Sequence, residues 1–97
     1  MNNRLQNLSC ASIALDTAAR FIASLDTQGD ERATVSAMKI FSYLTKASME
    51  VASMMILAAP AGTRTEGLAA AISEASSEVE RLEIESINRE AALEDGK

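Results

Sequence analysis

Apolar residues recur along this chain at alternating steps of three and four, the spacing that lines one face of an α-helix. In the first stretch Leu5, Leu8, Ser12, Leu15, Ala19 and Ile22 follow it. Ala11, Ala18 and Leu25 widen that face, and Asp16, Arg20 and Ser24 lie opposite. The middle stretch carries a heptad-like seam of Ala37, Ile40, Leu44, Ala47, Val51, Met54 and Ala58, beside a second stripe of Met38, Phe41, Ala52, Met55 and Ile56. Together they cover well over half of the helix circumference, and a helix apolar over that much surface has to be covered from two sides. The third stretch opens with a seam at Leu68, Ile72, Ala75, Val79 and Leu82. Ser86 and Arg89 then fall on the next seam positions, while Ile84, Ile87 and Ala91 fall on a face turned by about 100° or more.

Two breaks separate these stretches. Thr27-Gln28-Gly29-Asp30 joins a glycine suited to left-handed backbone to an aspartate suited to N-capping. Pro60-Ala61-Gly62-Thr63 holds the chain's single proline, and Thr63-Arg64-Thr65-Glu66 has the spacing of a capping box. No strand-like alternation lies between them. The pattern predicts an all-α, antiparallel three-helix bundle with helices near 4–26, 31–59 and 64–94, the second in the middle. One domain spans 1–97, with 95–97 frayed. The third helix would be about 45 Å long against about 35 Å for the first, so its C-terminal half is expected to project beyond the bundle.

Composition changes this picture in one respect. The 97 residues are 47% apolar, yet aromatics supply only 3% and tryptophan is absent. Alanine-rich helices approach closely but bury little area, so the core is thin, and self-association as a helical homodimer is expected. The net charge of −5 resides wholly in residues 63 to 97, because the five acids before that point are matched by five bases.

Several chemistries are disfavoured. With no histidine the commonest general base and metal ligand are missing, so no catalytic, cofactor-binding or metal residue is assigned and an enzyme is not expected. Cys10, the lone cysteine, has no basic helical neighbour and reads as inert. The longest apolar run, Val51 to Ala61, is shorter than the roughly 20 residues of a membrane span. A cytoplasmic chain without signal peptide or transmembrane segment is the default expectation.

Three surface features carry candidate binding chemistry. Ile84, Ile87 and Ala91 form an apolar stripe in a charged segment, which needs cover by a partner helix; Met49, nearest the polar sector among the second helix's methionines, is a further contact candidate. Glu74, Glu78, Glu80, Glu83 and Glu85 make an acidic face, which reads as a solvated surface or as a decoy for a nucleic-acid-binding cleft. Arg32, Lys39 and Lys46, seven apart, make a basic ridge that reads as solvated, faces acids of a neighbouring helix, or contacts phosphate. The leading expectation is a non-enzymatic protein–protein interaction module (adaptor, assembly subunit or inhibitor) acting through apolar helix faces, with a protein partner that can be a second copy of itself. The alternatives are an acidic decoy or inhibitor of a nucleic-acid-binding protein and a dimeric DNA-binding regulator; the acidity disfavours direct nucleic-acid binding.

Overall fold

A computed structural model describes residues 3–96. It is all-helical: α1 spans Asn3–Ala23, α2 Glu31–Ala58 and α3 Glu66–Asp95, with no strand among the described residues. The first helix stops three residues short of the expected limit at 26. Its last turn tightens, Leu25 N–H donating to the Ile22 carbonyl at 3.2 Å and the Ser24 hydroxyl to the Phe21 carbonyl at 3.1 Å. Asp26 then accepts from the Gln28 amide at 2.8 Å, a local turn that competes with helix. Gln28 and Gly29 are both left-handed, at φ 53° and 78°, and the Asp30 amide closes that turn on the Thr27 carbonyl. Asp30 caps α2 as its sequence context implies, accepting from the amides of Arg32 and Ala33 at 3.0 and 3.2 Å.

The capping box expected at Thr63 and Glu66 does not form. Thr63 instead closes a turn, its amide donating to the Pro60 carbonyl at 3.1 Å across a left-handed Gly62 (φ 88°). α3 therefore begins two residues later, with Thr65 at the N-cap and no side-chain cap. At the other end Asp95, expected to fray, is the last helical residue, and the Gly96 amide caps onto the Ala92 carbonyl at 3.1 Å. Residue 97 lies outside the described residues.

The middle helix is the centre of the packing. α1 and α3 each pack along α2 and do not pack on one another. The result is a long, flattened body of 56 × 21 × 15 Å. Between α2 and α3, Ser42 shares a cleft with Ser86 and Val35 shares one with Leu93, and Val35, Ser42, Val79 and Ser86 are all buried. Ala37, Leu44 and Val51 lie near the opposite side of the α2 wheel, half-buried, on the flank that α1 covers.

Three expectations about these helices change. The α2 seam is split, because Ile40 and Met54 face solvent while Leu44 and Val51 are half-buried. The α3 seam keeps its phase, running through buried Ser86 to half-buried Arg89 and Leu93. A serine can occupy that position because its hydroxyl donates to the Glu83 carbonyl at 3.0 Å within the helix, so the buried polar group is satisfied. Nor does the C-terminal half of α3 project beyond the bundle. Arg89 pairs with Glu31 at 3.3 Å, Glu90 with Lys39 and Glu83 with Lys46, which holds it along the first half of α2.

The core is as thin as the composition implies. Among the described residues the buried apolar side chains are Leu8, Val35, Ala52 and Val79, and none is fully buried. A 10.3 kDa chain exposes 6787 Å², against about 5,400 Å² for an ordinary monomer of that mass.

Candidate interaction surface

The apolar stripe of α3 lies open. Ile84 is 56% and Ile87 63% exposed, and Ala91 one turn on is exposed as well. Ile87 does not stand alone, since it borders a shallow cleft of about 180 Å³ with Tyr43, Lys39 and Lys46 of α2 and Glu83 of α3. Ser42 and Ser86 lie at its base. The Ser42 hydroxyl is buried without a hydrogen-bond partner among the described residues, a cost of about 1–3 kcal/mol.

Charges around this cleft are largely matched. Of the basic ridge, Lys39 pairs with Glu90 and Lys46 with Glu83, each side chain being about half exposed, while Arg32 has no ion-pair partner among the described residues. Two of the three ridge cations therefore bridge to α3. The acidic face divides likewise. Glu83 is bound to Lys46, Glu78 and Glu85 hold Arg81 at 2.6 and 3.1 Å, and Glu85 also meets Arg89 at 3.3 Å; Glu74 and Glu80 are exposed, with no ion-pair partner among the described residues. The Arg81 guanidinium, hydrogen-bonded to Glu78, holds the Glu78 carboxyl below its ordinary value.

On the other side of the layer, α1 and α3 leave a furrow over α2, seen as clefts of about 290, 200 and 220 Å³ along its length. Met38 and Phe41 line its first part, Met55 and Leu68 its last. Met49, expected near the polar sector, is half-buried in the middle cleft beside Ser12 and Ile72. Its wheel position points along the α3 side of the furrow rather than outward.

Sequence reasoning missed a further set of exposed apolar residues, Ile13, Phe21, Tyr43 and Leu57. For Tyr43 and Leu57 a signal was present. Ile40, Tyr43, Ala47, Glu50, Met54 and Leu57 keep strict alternation of three and four, but Tyr43 and Glu50 disguise the stripe as polar.

Cys10 is exposed on α1, and among the described residues no group of three or more acidic, cysteine or histidine side chains could hold a metal ion. None of the described helices is long and apolar enough to cross a membrane. Comparison with known proteins yields no match to a family model, a curated sequence or a solved structure.

Proposed function

We propose that this chain is a non-enzymatic helical interaction module, an adaptor, assembly subunit or inhibitor, that binds protein through the apolar face shared by α2 and α3. The observation that carries the reading is the exposure of Ile84 and Ile87 beside Tyr43, on a molecule whose surface exceeds that of a typical monomer by about 1,400 Å². Clustered exposed apolar side chains on a small chain mark association. The pairings of Glu31 with Arg89, Lys39 with Glu90 and Lys46 with Glu83 support antiparallel packing of α2 and α3, which sets the two apolar stripes side by side. They also weigh against the decoy and DNA-binding alternatives, because the charges those would use are engaged with one another.

The test is the salt response of the complex recovered from the native host. An apolar interface persists at about 1 M salt, where charge attraction is screened beyond about 3 Å, and Ile87→Asp abolishes it. Loss of the complex at moderate salt, with Ile87→Asp harmless and charge reversal at Glu80 disruptive, would overturn the reading in favour of the acidic face.

A further inference from the structure

The outward side of α2 carries a stripe that neither flanking helix covers. Ile40, Tyr43, Ala47, Glu50, Met54 and Leu57 follow one another at steps of three and four, with Ser36 preceding them. Tyr43 is 67% and Leu57 85% exposed, Ile40 and Met54 are also open, and only Ala47 is half-buried. By helical geometry this stripe lies opposite the residues that line the α1–α3 furrow, Phe41, Thr45 and Ala52 among them. It has the heptad spacing of a coiled-coil seam.

Its order is also nearly self-complementary when reversed. Taking Ala47 as a centre, reversal places Ala47 opposite its own copy, Tyr43 opposite Glu50, Ile40 opposite Met54 and Ser36 opposite Leu57. A small residue at the centre lets two backbones approach, and large apolar residues fall symmetrically to either side. The two polar positions fit as well. Neither the Tyr43 hydroxyl nor the Glu50 carboxylate has a partner among the described residues, and a phenol donating to a carboxylate is a charge-assisted hydrogen bond. Reversal makes that bond twice.

We infer that the outward face of α2 docks a second copy of this chain, α2 against α2, antiparallel about a two-fold axis at Ala47, with reciprocal Tyr43–Glu50 hydrogen bonds. The inference rests on the interaction-module reading and names its partner. Such a face is isologous, each residue meeting the other's complement. The stripe runs about 32 Å along the helix, on a chain that exposes about 1,400 Å² more than an ordinary monomer of its mass, surface that association would cover. Ile87, beside Tyr43 in the cleft, lies on the flank of the same face.

Sedimentation equilibrium of the full chain tests this, with circular dichroism to verify folding. The parent is expected to be a dimer at about 100 µM and the Tyr43→Glu variant to dissociate at least about tenfold more readily, because it sets carboxylate against carboxylate. Adding Glu50→Lys should restore the dimer, since each lysine then meets the glutamate at position 43 of the other copy. Both sites are exposed, so helix content should not change. A parent that stays monomeric overturns the second-copy inference, while the salt-resistant, Ile87-dependent complex keeps the broader reading separately testable. A dimer indifferent to Tyr43→Glu, or one that Glu50→Lys fails to rescue, overturns the antiparallel arrangement about Ala47.

Discussion

The two flanks of α2 are built on different principles. On the α3 side Val35 and Ser42 of α2 and Val79 and Ser86 of α3 are buried, and three ion pairs cross, from Glu31, Lys39 and Lys46 to Arg89, Glu90 and Glu83. On the α1 side no ion pair crosses to α2 among the described residues. The Asp16–Arg20 salt bridge of α1, at 3.1 Å, stays within the helix, and Leu8 is the only buried α1 residue among the described residues. Apolar contact is non-directional, so it favours burial without choosing among neighbouring registers. Charge pairs at fixed spacing penalise a slipped register, because each cation then loses its acid or meets a like charge. The α3 flank is thereby specified twice, by shape and by charge, and the α1 flank once. α1 should be the element that detaches first.

The sharpest way to break this comparison is to remove the one buried anchor of α1. Leu8→Ala should cost about 2–3 kcal/mol, measured by urea denaturation at fixed protein concentration. Amide exchange resolved by helix should then rise in α1 well before α3. Equal acceleration in all three helices would mean that α1 is no more separable than its neighbours. A smaller effect, of opposite sign, is expected at the α3 flank. Ser42→Ala removes a buried hydroxyl that has no partner and should stabilise the protein by about 1 kcal/mol. Ser86→Ala should stay within about 0.5 kcal/mol of the parent, because its hydroxyl bonds within its own helix. Matching shifts at the two serines would show that Ser42 is satisfied after all.

These serines also mark where the sequence is legible and where it is not. Helix number, the Asp30 cap and the central place of α2 follow from periodicity and turn chemistry, because those depend on residues close in the chain. Leu5, Leu8, Leu15, Ala19 and Ile22 of α1 are likewise buried or half-buried as their spacing implies, and Ile13 and Phe21, off that face, are exposed. The buried line between α2 and α3 is another matter. It includes Ser42 and Ser86, which look like interruptions of an apolar stripe, since packing between helices accepts small side chains as well as apolar ones. The same bias hid the outward stripe of α2 behind Tyr43 and Glu50. The ridge of Arg32, Lys39 and Lys46 was visible as a pattern. That Lys39 and Lys46 meet acids of α3 depends on the register of two helices, which no single helix encodes.

The ion pairs themselves give the smallest effect and the most direct check on what sets that register. Lys46 and Glu83 have side chains 49% and 41% exposed, so solvent screens them and their coupling in a double-mutant cycle should be only about 0.5–1 kcal/mol at low salt. It should fall toward zero near 1 M salt, where the screening length is about 3 Å. Asp16 and Arg20 on α1 provide the control. They are more exposed, at 60% and 81%, and lie within one helix, so their coupling should be about 0.3 kcal/mol, and breaking it should leave the exchange rates of α2 unchanged. Breaking Lys46–Glu83 should instead speed exchange on both helices it joins, because the pair acts between them. Should the Lys46–Glu83 coupling prove no larger than that of Asp16 and Arg20, and exchange in α3 stay unmoved, charge would have no part in fixing the α3 flank. Its contrast with α1 would then reduce to the burial of Val35, Ser42, Val79 and Ser86.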